Sequence, residues 1–239
     1  MKNFERDELI RYSRQLMLPE VGIEGQEKLK TARILVIGAG GLGCPILQYL
    51  TAAGVGTIGI VDFDKVELHN LHRQILYHTE DIGKLKAEVA AQKLQTQNPY
   101  VRFDVHPVMI HEENAEDLIS VYDLVIDGSD NFHTRYLVND TCVKYNKPLV
   151  YGSIFKFEGQ LAVFNYQGGK NLRDIYPEPP NPEDVPNCSE VGVIGVLPGV
   201  IGTLMANQVI RLITGFGKVS DDLTIFNLLQ DTFTKLTLV

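Results

Sequence analysis

The stretch RILVIGAGGLGCPILQYLTAAGVGTIGIVD, residues 33–62, constrains this chain more than any other. An apolar run ends in a glycine turn. A helix-forming segment follows and closes at Gly54, and a second apolar run ends on Asp62. Gly38, Gly40 and Gly43 satisfy the spacing G-x-G-x-x-G, with Gly41 as an extra glycine. In a strand–turn–helix context the glycines let backbone approach a phosphate, and the helix N-terminus offers free N–H groups and positive potential. Asp62 comes 19 residues after Gly43, where a carboxylate accepts hydrogen bonds from ribose hydroxyls. The motif predicts a βαβ nucleotide-binding unit. It does not choose among NAD, FAD and ATP.

The rest of the chain extends that unit. Residues 6–17 read as one amphipathic helix, and 83–97 as a helix closed by Asn98-Pro99. VRFDVHPV alternates as a strand. DLVIDGSD runs as a strand into a polar turn, with a helix over 131–145. KPLVYGSIF and GQLAVFNY, with Gly159 between them, read as antiparallel strands. Residues 166–190 hold five prolines and read as a mobile or functional loop. A helix over about 199–213 and two final strands, LTIFNL and TKLTLV, complete the pattern. The expected fold is α/β: a Rossmann-like half continuing into a mixed, partly antiparallel sheet with helices on both faces. With no internal repeat or linker, residues 1–239 read as a single domain.

Chemistry-bearing side chains cluster beyond Asp62. Asn70, Arg73, Gln74, Lys84 and Lys86 fall within 17 residues. Arg73 offers a bidentate fork and Lys86 a point charge, which suits a polyphosphate. Asp130 follows the strand LVID and faces the crevice where open α/β sheets bind ligands. It suits a Mg²⁺ ligand beside phosphates or an N-cap for the next helix, and Asp127 and Asn131 stand ready to share either role. Of three cysteines, Cys44 and Cys142 read as packing residues. Cys188, after the proline-rich loop, is the accessible thiol and a candidate nucleophile.

Composition narrows the function. A net charge of −8 argues against nucleic acid as partner. No run approaches the about 18 uninterrupted apolar residues of a membrane span. The N-terminus lacks a signal-peptide core, so the cytoplasm is the expected location. Three cysteines without close pairs support neither a disulfide framework nor a structural zinc site.

The segments RYSRQLMLPEVGIEGQEKL, RILVIGAGGLG, VDFDKVELHNLHRQILY, GKLKAE, DGSDN and GVLPGVIG occur in order over nearly the whole chain. Together they resemble the ThiF/MoeB/HesA family of E1-like adenylyltransferases, which activate ubiquitin-like sulfur carrier proteins. The resemblance implies ATP, Mg²⁺ and a carrier with a C-terminal Gly-Gly, whose carboxylate attacks the α-phosphate to give an acyl-adenylate and pyrophosphate. By motif, it implies that Gly41 lies against the phosphates and Asp62 holds the ribose. His69, Asn70, Leu71, His72 and Arg73 line the nucleotide site, Arg73 and Lys86 meet the phosphates, and Asp130 binds Mg²⁺ with Asn131 beside it. It implies a homodimer in which Arg14 reaches into the active site of the partner subunit, and it matches Cys188 to the family cysteine.

Two features depart from that pattern. The family's first CxxC pair would fall near 171–176, where this chain reads NLRDIY, so no zinc is expected and another device must steady that segment. Relatives often continue into a rhodanese domain. Here sulfur is expected either from a separate protein, a rhodanese or a cysteine desulfurase, or from such a domain in a longer form of this chain. Molybdenum cofactor, thiamin and related thiolation enzymes share these motifs. Competing readings are an NAD-dependent oxidoreductase, for which no hydride-transfer residues are evident, and a catalytically inactive carrier-docking module.

Overall fold

The apolar runs assemble into one eight-stranded sheet in a computed structural model that describes residues 4–180, 192–219 and 221–238. The strands are β1 Arg33–Ile37, β2 Thr57–Val61, β3 Arg102–His106, β4 Leu124–Asp127, β5 Leu149–Phe155, β6 Glu158–Phe164, β7 Asp222–Asn227 and β8 Thr232–Thr237. Their spatial order is β3-β2-β1-β4-β5-β6-β7-β8. The first five run parallel, and β6, β7 and β8 are antiparallel. Register pairs Ile37 with both Val61 and Asp127, so β1, β2 and β4 end level.

The α-helical elements among the described residues are α1 Arg6–Arg11, α2 Ser13–Leu16, α3 Gly22–Thr31, α4 Gly43–Ala53, α5 Lys86–Gln97, α6 Ala115–Ser120, α7 Phe132–Lys144, α8 Leu172–Ile175 and α9 Val196–Thr214. One core layer joins Leu29, Ile46, Leu50 and Leu94 with Leu197, Ile201, Met205 and Val209 of α9. The other joins Ile119, Tyr136 and Val138 with Leu149, Tyr151 and Phe164. Helices therefore cover both sheet faces, as two-sided burial of a parallel sheet requires. Among the described residues α9 alone is long and apolar enough to cross a membrane. Its Leu197, Ile201 and Met205 instead pack inside the core.

Several expected elements shift. The helix expected over 6–17 breaks at Tyr12. The ring of Tyr12 is buried, its oxygen accepts a hydrogen bond from Asn98 Nδ2, and a Cβ on Gly54 would stand 2.5 Å from it. Burying that ring outweighs helix continuity. The helix expected from 83 starts at Lys86, because Gly83 turns at φ +88° and Leu85 is extended. The β5–β6 turn is Lys156-Phe157, with Lys156 at φ +52°. Gly159 lies within β6, where a Cβ would stand 2.3 Å from Ile201. The last helix begins at Val196 rather than about 199. Two helices, α3 and α6, are additions to the pattern read from sequence. Of the proline-rich loop, 166–180 is described and contains α8; residues 181–190, Cys188 among them, lie outside the described residues.

Candidate functional site

Beyond the level ends of β1, β2 and β4 lies a crevice of two adjoining cavities, about 120 Å³ and about 530 Å³. The smaller is lined by Gly38, Gly40, Asp62, Asp64 and Asn131, and the larger by His69, Asn70, His72, Arg73 and Lys156. Gln74, Lys86 and Asp130 line both. The fold therefore brings together most of the residues singled out from sequence, at the strand ends where a doubly wound sheet binds ligands.

The glycines divide their work. Gly38 turns at φ +89°, which favours glycine. Gly43 is buried, and a Cβ there would stand 2.1 Å from the Gly38 carbonyl oxygen. Its role is to let α4 close on β1 rather than to line the crevice. Gly41 lies under Pro198 and the Arg73 stem, where a Cβ would stand 3.1 and 3.7 Å from them. Like Gly43, it is absent from the lining. Gly38 and Gly40 alone of the four line the crevice. Tyr77 steadies the loop by donating its hydroxyl to the Ala39 carbonyl at 2.7 Å.

Asp62 accepts hydrogen bonds from the Ala39 N–H at 2.7 Å and the Asp64 N–H at 2.8 Å. Burial pushes its carboxyl above the usual range, and the nearby Lys86 ammonium opposes that rise. Lys86 is buried at the first position of α5 and pairs through Nζ with Asp64 at 2.9 Å. Sequence reasoning missed Asp64; its signal was the second acid of VDFD, two residues past the strand end.

Arg73 is half-buried and donates to the His69 carbonyl at 3.1 Å, with His72 Nε2 2.9 Å away. Asn70 is buried and accepts from the Glu67 N–H, so it shapes the loop as well as lining the crevice. Leu71 packs against the core instead of lining the site. Asn131, not Asp130, caps α7, accepting from the Thr134 N–H at 2.9 Å. Asp130 is exposed and faces both cavities. Arg14 is exposed on α2 and lines neither cavity of this protomer.

Buried oxygens without partners among the described residues include Gln74 Oε1 and Ser129 Oγ, both on the crevice wall, and Asp127 Oδ2 at the end of β4. Burial raises the Asp127 carboxyl, against the pull of the Arg135 charge. Open glycine backbone, an acid at the β2 end, the cations Arg73 and Lys86 and an exposed acid facing one crevice fit a nucleoside triphosphate with a divalent cation. One carboxylate suffices for Mg²⁺, which takes its other ligands from phosphates and water.

Cys44 is buried, with its thiol pushed up to about 12 by burial, so it is a packing residue; Cys142 is buried as well. No group of three or more potential metal-ligating side chains is present among the described residues. The NLRDIY segment is held by other means. Arg173 donates Nε and one terminal nitrogen to the Asp140 carboxylate, each at 2.8 Å, and Asn139 Oδ1 accepts from the Leu172 N–H.

The family model described as "ThiF family" matches residues 12–238. "Sulfur carrier protein adenylyltransferase" of Thermus thermophilus is similar, with 52% identity over 238 residues covering 97% of this chain and 88% of that one. "Probable adenylyltransferase/sulfurtransferase MoeZ" of Mycobacterium tuberculosis is 48% identical over 238 residues, covering 98% of this chain but 61% of that protein. The crystal structure of PaaA matches with a TM-score of 0.85 at 20% identity, covering 100% of this chain and 76% of that one. At that identity the likeness speaks for the fold alone. The chain belongs to the ThiF family.

Proposed function

We propose that this chain adenylates the C-terminal glycine carboxylate of a ubiquitin-like sulfur carrier protein, using ATP and releasing pyrophosphate. The observation that carries the reading is the convergence of Gly38, Gly40, Asp62, Arg73, Lys86 and Asp130 on one crevice in a chain of this family. The two similar adenylyltransferases support the reaction class.

In the proposed reaction a carboxylate oxygen attacks the α-phosphorus, the phosphorus–oxygen bond to pyrophosphate breaks, and pyrophosphate leaves with the electron pair. No proton need move. The protein's task is to neutralise charge and align two anions. Asp62 and the glycine backbone hold the nucleoside and phosphates, while Arg73 and Lys86 offset phosphate charge. Mg²⁺ on Asp130 would supply further neutralisation of the phosphates.

The same reading extends to a single adenylating unit over 1–239, a homodimer in which Arg14 serves the partner subunit's crevice, and a separate sulfur donor. Location in the cytoplasm and the lack of a structural zinc, a nucleic-acid partner or a membrane partner belong to the same proposal. Purified protein with Mg²⁺-ATP, labelled pyrophosphate and a panel of Gly-Gly-ended carriers is expected to exchange pyrophosphate into ATP only when a cognate carrier is present. Absence of exchange with every carrier overturns the reading.

A further inference from the structure

Arg135, which the reaction described above does not use, is a buried cation with no carboxylate oxygen in direct contact among the described residues. It lies on α7, 5% exposed. One terminal nitrogen donates to Ser153 Oγ at 2.6 Å and the Tyr151 hydroxyl oxygen at 3.2 Å, and the other donates to the Ser129 carbonyl at 3.1 Å. All three acceptors are neutral. Nε is buried and has no partner among the described residues. The opposite charge that acts on it is the buried Asp127 carboxyl, whose ionised form burial disfavours, and a buried donor left unmade is costly. Such a residue fits a site that receives an anion.

The position of Arg135 narrows which anion. It lines the nucleotide crevice, and it is also the one residue shared with a second cavity of about 350 Å³. That cavity has aromatic walls, Phe132, Tyr136, Tyr151 and Tyr176, with Ser153 and Gln160 as polar groups and Glu178 its one acid. Arg135 is the only cation in this lining, whereas the nucleotide crevice already has Arg73 and Lys86 for phosphates. The guanidinium is 5.5 Å from the Tyr151 ring centroid and 5.7 Å from that of Phe132. Three of its five N–H groups are already committed, which leaves Nε–H and one terminal N–H to give.

We propose that Arg135 holds the C-terminal carboxylate of the acceptor protein through Nε–H, with the acceptor's last residues lying in the aromatic cavity. The proposal rests on the carrier-adenylation reading and deepens it. One donor holds one carboxylate oxygen and leaves the other free to attack. A flat-walled cavity suits a narrow, extended peptide end. The guanidinium meets the acceptor where the two cavities join, on the side facing the nucleotide.

The test compares wild type with Arg135→Gln and Tyr176→Ala, using a cognate carrier and the same carrier ending in a carboxamide. Nucleotide binding, measured with ATP alone, is expected to be unchanged in both variants, which also shows that they fold. In the presence of ATP, Arg135→Gln is expected to weaken binding of the carboxylate carrier by about tenfold to 100-fold and to raise its KM in exchange. Binding of the carboxamide carrier should change little, because the neutral end never had the charge to offer. Tyr176→Ala is expected to weaken both carriers. Equal weakening of both carriers by Arg135→Gln overturns the proposal in favour of a structural arginine. Loss of ATP affinity in that variant overturns it in favour of a phosphate ligand. If wild type itself shows no carrier-dependent exchange, the underlying reading fails instead, and that result is separate from either outcome.

Discussion

The parallel and antiparallel halves of the sheet differ in what they bury. Among the described residues every buried charged residue, Glu8, Asp62, Asp81, Lys86, Asp127 and Arg135, precedes β5 in the chain. In the parallel half, β2 and β4 are buried along their whole lengths and deliver acids to one edge. The antiparallel half ends in β8, every residue of which is exposed. A strand covered on both faces has fixed ends, so it can hold a charge at a set place. A solvated edge strand cannot, and serves instead to complete the sheet.

This contrast is sharpest in the glycines. Gly43→Ala places a Cβ 2.1 Å from the Gly38 carbonyl oxygen and is expected to cost about 4 kcal/mol or more. Gly168→Ala, beyond β6 at φ +81° in open space, is expected to cost about 1 kcal/mol. Urea denaturation midpoints of the two variants check this, and equal losses break the comparison. Next in size, Asp130→Ala is expected to lower pyrophosphate exchange by about 100-fold, as for loss of a group that stabilises developing charge. Since Asp130 is exposed, its melting temperature should hold. Unchanged exchange removes the metal assignment.

Within the parallel half two acids are expected to titrate stability in opposite senses. Burial pushes the Asp81 carboxyl up, but Lys93, the His78 amide and Lys84 hold it below the usual range overall. Its stabilisation is present above the ordinary carboxylate pKa and fades as pH falls through the lowered value. Asp81→Asn is therefore expected to be most destabilising at neutral pH, with the deficit shrinking in acid. Asp127 is raised, chiefly by burial. Its stabilisation is present below the ordinary carboxylate pKa and is lost as pH rises through the raised value. Asp127→Asn should accordingly gain on wild type as pH rises. Urea midpoints across a pH series read both slopes, and parallel slopes refute the contrast. The smallest effect is expected at the far edge, where Leu236→Lys on exposed β8 should change stability by about 0.5 kcal/mol or less, and exchange not at all.

Much of the site was legible because its signals are local. The glycine spacing, Asp62 at a strand end and Asp130 after LVID each follow from a dozen or fewer neighbouring residues. Misreadings arose where distant chain decides. Leu71 sits amid polar site residues yet faces the core. Gly41 and Gly43 share the motif yet spend their missing side chains on Pro198 and Gly38. Asp130 and Asn131 compete for one cap, and the geometry of the α7 entry gives it to Asn131. Tyr12 looks like one more apolar helix position until Asn98 and Gly54 are folded beside it.

By itself the sequence determined the βαβ nucleotide unit, the change to antiparallel strands and most residues of the crevice, because hydrophobic period and glycine placement act over a few residues. Only the tertiary structure decided that Lys86 is buried against Asp64, that Asp140 and Arg173 brace the NLRDIY segment, and that Arg135 lies between two cavities with Nε lacking a partner among the described residues. Charge pairing and desolvation depend on groups far apart in the chain. They take a definite value only when the sheet brings those groups within a few ångströms of one another.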